Sequence, residues 1–122
     1  LKGRCRALYE AYVNRDGEMA FAIIDKTVEE SDTPIYALQD KFDICEKLHE
    51  LEEMGKVIEA IADLKMGDSY GKERALYRGK VLYAAYRKDD AKIKKLMNEI
   101  SNKNIRINKD ILQRKIERIM DM

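Results

Sequence analysis

One segment of this chain occurs twice. The nine residues LYEAYVNRD, from Leu8 to Asp16, return as LYAAYRKDD, from Leu82 to Asp90, 74 positions later. Each copy has apolar residues three and four apart and ends in polar residues that favour a turn, as in a helix that leads into a tight connection. A helix-turn-helix unit of about 34 residues cannot bury its apolar side alone, so several must stack. The repetition therefore predicts copies of one helical hairpin.

The composition favours helices over strands. The 122 residues include one proline and six glycines, too few for the many turns of an all-β protein. Glu, Lys, Ala, Leu and Met, which are strong helix formers, are abundant instead. Hydrophobic residues make up 45% and charged residues 39%, which excludes a disordered charged tail. We therefore expect an all-α fold.

Turn signals divide the chain into three hairpins and one more helix. The strings SDTP, MGDS and SNKN each interrupt the helical pattern. They leave hairpins at about 3–30, 34–66 and 70–102 and a terminal helix at about 108–121. All of these would belong to a single domain that covers residues 1–122.

Within the second hairpin, apolar steps of three and four predict a helix from Pro34 to Met54 that ends at Gly55. The prediction places the turn of this hairpin at Gly55 and fixes how the three hairpins align. The leucines in equivalent positions would then be Leu8, Leu48 and Leu82.

The terminal helix is predicted to cover the sixth helix, because stacked repeats leave an apolar flank at each end. The apolar residues that would pack there are Ile111, Leu112, Ile116 and Ile119, and the cations that would face water are Arg114, Lys115 and Arg118. The alternative is that this helix pairs with a partner or with a second copy of the chain.

Charge is distributed unevenly along the chain. Residues 1–70 carry 9 Lys and Arg against 16 Asp and Glu, whereas residues 71–122 carry 15 against 7. This asymmetry indicates either a binding surface or ordinary solvated faces. A nucleic-acid-binding module that uses the basic half, with Tyr77, Tyr83 or Tyr86 stacking on bases, is therefore an alternative function.

The string LHELEEMGKVIEAIADL, which begins at Leu48, carries a family resemblance. Its matching residues are Leu48, Leu51, the turn glycine Gly55, the small Ala60 and the large Leu64. On this pattern the chain resembles a tetratricopeptide-repeat (TPR) protein over about residues 3–102. The chain departs from the family pattern at Lys94, where alanine is expected, and in having no tryptophan. Other α-α solenoids and irregular helical bundles remain open.

The TPR resemblance implies a right-handed α-α superhelix in which the first helix of each hairpin lines a concave surface for peptides or partner helices. The lining would include Cys5, Phe42, Cys45, Leu76 and Gly79. One subset of the family clamps a terminal carboxylate with lysine and asparagine. Because Cys5 and Tyr9 occupy those positions here, the sequence argues against a chaperone-tail receptor.

We expect a non-enzymatic adaptor or scaffold that binds a protein partner in this groove, or else the repeat module of a larger regulator or enzyme. Tyrosine and arginine suit such a surface because they are enriched at interface cores. The alternative for the tyrosines is that they pack between neighbouring helices. The predicted partner-binding residues are Tyr9, Tyr12, His49, Glu52, Glu53, Arg78, Tyr83, Tyr86 and Arg87.

The sequence offers no pattern of an active site or a cofactor site. Phosphate-binding glycine loops, Ser-His-Asp sets and CxxC pairs are absent. Cys45 and His49 could share a helix face, but structural zinc needs four ligands as a rule, so we expect no metal and no cofactor. Two cysteines, no signal-like start and no apolar run of about 20 residues predict a cytoplasmic protein without a membrane span.

Overall fold

A computed structural model describes residues 3–66 and 71–122 of the chain. These residues form seven α-helices and no strand, which confirms the all-α prediction. The helices are α1 (Gly3–Tyr12), α2 (Gly17–Glu30), α3 (Pro34–Leu48), α4 (Leu51–Ala62), α5 (Lys72–Tyr86), α6 (Asp90–Asn102) and α7 (Lys109–Met120). None of them combines the length and apolar character needed to cross a bilayer. The predicted string MGDS falls mostly in residues 67–70, outside the described residues.

The chain divides into two compact units, Leu1–Lys65 and Met66–Met122, which we call the N-terminal unit and the C-terminal unit. The division coincides with the charge asymmetry. The N-terminal unit carries 9 Lys and Arg against 15 Asp and Glu, and the C-terminal unit carries 15 against 8. Each unit therefore has its own electrostatic character.

Short polar side chains start three of the helices. The side chains of Asp16, Asp89 and Asn108 accept hydrogen bonds from backbone N–H groups three residues later, at 3.0, 3.1 and 3.1 Å. These N-caps satisfy donors that the first turn of a helix leaves without a partner. Pro34 begins α3, where a proline loses no helical hydrogen bond.

Two of the hairpin turns have the same backbone geometry. His49 and Lys88 adopt left-handed φ values of 55° and 58°, and each directly precedes the N-cap residue of the next helix. The N–H groups of Glu50 and Asp89 then bond carbonyls five residues back, which is the hydrogen bond of a Schellman motif. In the first hairpin Asp16 N–H bonds Glu10 six residues back. This turn is one residue longer than the turn between α5 and α6. The repeated residues Leu8 and Leu82 therefore lie 74 positions apart, whereas the N-caps Asp16 and Asp89 lie 73 apart.

The predicted end of α3 at Gly55 was wrong. The helix ends at Leu48, and Gly55 lies inside α4. The turn forms at His49 because its left-handed backbone lets two N–H groups bond the last carbonyls of α3. Glycine inside a helix is less favourable than alanine by about 1 kcal/mol. This cost is outweighed by the burial of apolar side chains of α4. These are Met54, Val57, Ile58 and Ile61.

In the N-terminal unit α3 is the central helix, since α1, α2 and α4 all pack against it. The side of α3 that faces α1 and α2 belongs to a tightly packed cluster. Alanine dominates it, which lets the helix backbones approach closely. The buried members of the cluster are Ala7, Ala11, Ala20, Ile24, Ala37 and Ile44.

In the C-terminal unit α5 is central, because both α6 and α7 pack against it. Lys88, in the turn after α5, donates hydrogen bonds to the carbonyls of Ile119, Met120 and Met122 at 3.2, 2.5 and 3.0 Å. A cation there complements the carbonyl end of α7. Since the ends of α5 and α7 meet at this lysine, the two helices run in the same direction.

The terminal helix thus differs from its prediction. Its main packing partner is α5 rather than α6. Leu112, Ile116 and Ile119 are buried as expected, but Ile111 is 59% exposed. The reason is that Ile111 lies outside the buried stripe and shares its side of the helix with Arg114 and Arg118. Arg114 and Arg118 face solvent as predicted, and Lys115 is half-buried.

Candidate functional site

Exposed tyrosines lie on the two parallel helices α1 and α3. Tyr9 and Tyr12 on α1 are 50% and 45% exposed, and Tyr36 on α3 is 37% exposed. We call these three residues the tyrosine face. Contacts at both ends of α1 reach α3 and hold the two helices side by side. Of the predicted site residues, Tyr9 and Tyr12 belong to this face.

At the start of α1, Arg4 joins the two helices. Its guanidinium forms an ion pair with Asp40 and lies over the ring of Tyr36, 5.6 Å from the ring centroid. The hydrogen bond to Asp40 raises the pKa of Arg4 above its ordinary value. Because Asp40 is a largely buried carboxylate, Arg4 supplies the charge that burial of Asp40 requires. The same arginine holds one side of the Tyr36 ring and leaves its other edge exposed.

At the end of α1, Tyr12 makes the matching contacts. Its hydroxyl donates a hydrogen bond to the backbone carbonyl of Asp43 at 3.4 Å. Lys47 places its ammonium 5.4 Å from the centroid of the Tyr12 ring. These contacts restrict the rotation of the Tyr12 ring.

The surroundings of Tyr12 are negative. Partial burial raises the pKa of Tyr12, and the charges of Asp43, Glu46 and Asp40 raise it further. Lys47 is the cation on its ring. A carboxylate-rich setting beside exposed aromatic rings favours the approach of a cationic group.

His49, Glu52 and Glu53 were predicted on the first helix of the second hairpin. The structure instead places His49 in the turn and both glutamates in the first turn of α4, because α3 ends at Leu48. Glu53 contacts Lys56 at 3.2 Å and Lys41 at 3.6 Å. Its carboxylate therefore stabilises the packing of α3 and α4, whereas Glu52 is exposed.

The other four predicted residues lie on or directly after α5, in the C-terminal unit. Arg78, Tyr83 and Tyr86 are half-buried, and Arg87 is exposed. Arg87 lies 5.7 Å from the centroid of the Tyr83 ring and donates to its hydroxyl at 3.5 Å. This unit thus has its own aromatic-cation pair, but Tyr83 and Tyr86 offer less surface than the tyrosines of α1.

Part of the predicted groove lining is core. Phe42, Cys45 and Gly79 are buried, whereas Cys5 is exposed. Burial raises the pKa of Cys45 to about 12, so its thiol stays protonated. Among residues 3–66 and 71–122 no group of three His, Cys, Asp or Glu side chains is placed to hold a metal ion.

Tyr36 is the member of the tyrosine face that sequence reasoning missed. A stripe on α3 without aliphatic residues could have revealed it: Tyr36, Asp40, Asp43 and Lys47 recur at steps of three and four. The apolar stripe of α3, which predicts the helix, does not include this second pattern.

A scan against protein-family models and searches of curated proteins and solved structures found no match to this chain.

Proposed function

We propose that this protein is a non-enzymatic protein-protein interaction module that binds a peptide or helix of a partner on the tyrosine face. One observation carries the proposal: folding leaves three large aromatic side chains exposed on adjacent helices. Single exposed apolar residues are ordinary, but aromatic residues grouped on one face are typical of an interface.

The contacts of the face suggest how it would work. Tyrosine contributes apolar area at a small entropy cost, and the rings of Tyr12 and Tyr36 are already held by Lys47 and Arg4. The carboxylates beside Tyr12 favour a partner segment with a lysine or arginine next to its apolar residues. We therefore propose a basic, amphipathic segment as the ligand.

The wider architecture belongs to the same proposal. A right-handed TPR-like stack would present the first helices of its hairpins on one concave side. The parallel course of α1 and α3, and of α5 and α7, supports this arrangement. In such a stack Arg78, Tyr83, Tyr86 and Arg87 would be secondary anchors, with the arginines recognising acidic groups of the partner and Glu52 recognising a basic one.

A peptide selection tests the proposal without knowledge of the natural partner. The protein is used to select binders from a random peptide library, and the affinity of the enriched peptides is measured by calorimetry. We expect Lys- or Arg-containing amphipathic peptides. Tyr9→Ala and Tyr12→Ala should each weaken binding by about 1–3 kcal/mol, the range for a central interface anchor.

Ile111→Ala is the matched control, because it also truncates an exposed apolar side chain but lies on α7. It should leave affinity unchanged. Tyr86→Ala then shows whether the ligand also reaches the C-terminal unit. If Tyr12→Ala combined with Tyr86→Ala retains both the fold and full affinity, the assignment of the binding surface is wrong.

A further inference from the structure

The strongest concentration of charge lies on α6 and the connection that follows it. Residues 91–109 contain six Lys and Arg and a single acidic residue, Glu99. The same segment contains four asparagines and a serine. Lysine, asparagine and serine are side chains that contact phosphate oxygens in nucleic-acid complexes.

The fold gathers these residues on one surface. Ile93, Leu96 and Ile100 are buried on one side of α6, which packs against α5. The opposite side is exposed and consists largely of Lys and Asn. We call this surface the lysine face. Its members on α6 are Lys94, Lys95, Asn98 and Asn102, and the exposed Arg106 follows in the connection after the helix.

Carboxylates do little to neutralise the lysine face. Lys94 approaches Asp90 at 3.6 Å, but the two side chains are 76% and 70% exposed. Water and salt screen so exposed a pair. Glu99 is half-buried, off the centre of the exposed side. The positive potential of the face is therefore available to a bound anion.

The surface lacks what a protein interface needs. Interface cores contain large apolar side chains, enriched in aromatic residues. Among residues 71–122, the exposed large hydrophobic residues are Ile111 and Met122, and neither lies between residues 91 and 109. A phosphate backbone requires no such residues, because its binding depends on charge and released counterions.

The surface also lacks exposed rings on which the bases of a single strand could stack. Tyr77 is buried, with Lys80 and Lys103 over its ring at 5.2 and 5.5 Å. Tyr83 and Tyr86 are half-buried on α5. The stacking of bases on these tyrosines therefore has no support at the lysine face. A duplex, whose bases stack on one another, suits this surface better than a single strand does.

We propose that the lysine face binds the phosphate backbone of double-stranded nucleic acid without reading its sequence. This activity goes beyond the protein interaction assigned to the tyrosine face and does not depend on it. Lys94, Lys95 and Arg106 contact phosphates as cations, and Asn98 and Asn102 donate amide hydrogen bonds to phosphate oxygens.

Fluorescence anisotropy with a labelled duplex of about 20 bp, titrated over a range of salt concentrations, tests the proposal. Wild-type protein should bind at low salt, and log affinity should fall linearly with log salt. Lys94→Gln/Lys95→Gln should weaken binding at least about tenfold at low salt and lower the slope by about 2, since each phosphate contact contributes about 0.9.

Arg114→Gln/Arg118→Gln is the matched control. It removes two exposed cations from the same unit, but these lie beside Glu117 and Asp121 on α7. The loss of affinity in this control should be less than about a third of the loss in the lysine variant. Circular dichroism verifies that both variants remain helical.

Four results would each overturn the proposal. They are no duplex binding at low salt, equal losses in the lysine variant and its control, tighter binding to a single strand of the same length, and displacement of the duplex by polyglutamate at the same phosphate-equivalent concentration. The last result would assign the face to an acidic protein partner instead.

Discussion

The repeated segment meets two different environments. In α5, LYAAY buries Leu82, Ala84 and Ala85 and half-buries both tyrosines. In α1, LYEAY buries only Ala11 and leaves its tyrosines largely exposed. The two copies have the same helix and nearly the same turn, so local sequence does not cause the difference.

The cause is the position of each helix in its unit. α5 is the central helix of the C-terminal unit, whereas in the N-terminal unit that place belongs to α3 and α1 lies outside it. Burial depends on neighbours rather than on the repeated pattern. An outer helix has fewer neighbours to cover its side chains, which is why Tyr9 and Tyr12 on α1 are more exposed than Tyr83 and Tyr86 on α5.

The largest expected effect comes from exchanging the residue at which the copies differ. Ala84→Glu places the glutamate of LYEAY at a buried position and should destabilise the protein by about 3–5 kcal/mol, because the carboxylate has no partner there. Glu10→Ala removes a half-buried side chain bonded to Asn14 and should cost less than about 1 kcal/mol. Urea unfolding followed by circular dichroism measures both.

Ala84→Gln separates the cost of charge from that of size in this comparison. It should destabilise less than Ala84→Glu at neutral pH. Equal effects of Ala84→Glu and Glu10→Ala would show that the two copies share one environment after all.

Truncating the shared leucine sharpens the comparison. Leu82→Ala removes a fully buried side chain and should cost about 2–4 kcal/mol. Leu8→Ala removes a half-buried one beside the alanine-rich cluster and should cost about 1–2 kcal/mol. The midpoints of chemical unfolding rank the two variants. A larger loss for Leu8→Ala would contradict the outer position of α1.

Glycine substitutions test where the turns lie. Gly55→Ala should stabilise the protein by about 0.5–1 kcal/mol, because Gly55 lies inside α4 without a left-handed φ. A turn at Gly55 would reverse the sign. Gly17→Ala, the control at the start of α2, should give no such gain, because an added Cβ would lie 3.1 Å from Leu48 Cδ1. Thermal unfolding of the two variants distinguishes these outcomes.

The smallest effect concerns the charges of the two units. The hydrogen bond from Lys56, and also the charge of Lys41, lower the pKa of Glu53 below its ordinary 4.5. A lowered folded pKa adds stability above pH 4.5 that is lost as the pH falls through the folded value. Glu53→Gln should therefore destabilise by less than about 1 kcal/mol at pH 7 and by nothing in acid.

Asp90→Asn is the counterpart in the C-terminal unit, where the pair with Lys94 is exposed. It should change stability little at any pH. Unfolding curves at several pH values compare the variants, and an equal pH-dependent loss in Asp90→Asn would remove the distinction between the two units' ion pairs.

Much of the helical layout could be predicted, because each helix has its own periodicity and its own turn signals. The predictions were wrong where a competing interaction determined the local structure. Gly55 looked like a turn, but the left-handed conformation of His49 and the burial of Val57 and Ile61 carried α4 through it. Ile111 looked like a core residue but lies outside the buried stripe of α7.

The candidate site could be predicted only in part. Tyr9 and Tyr12, predicted from their repeated positions, are exposed, whereas Tyr83 and Tyr86, predicted on the same ground, are half-buried. Phe42 and Cys45 were predicted on the same surface. Both are buried instead, on a helix that packs against α1, α2 and α4. The contact of Tyr36 with Arg4 could not be predicted, because Arg4 lies on another helix, far from Tyr36 in the chain.

The order of apolar, capping and turn residues alone specifies seven helices and the approximate place of each connection, since those depend on neighbours within a few positions. Which copy of a repeated segment becomes core and which remains surface was decided only by tertiary packing. The physical reason is that burial is a property of the helices that surround a residue, and pentapeptides in α1 and α5 that differ at one residue have different surroundings.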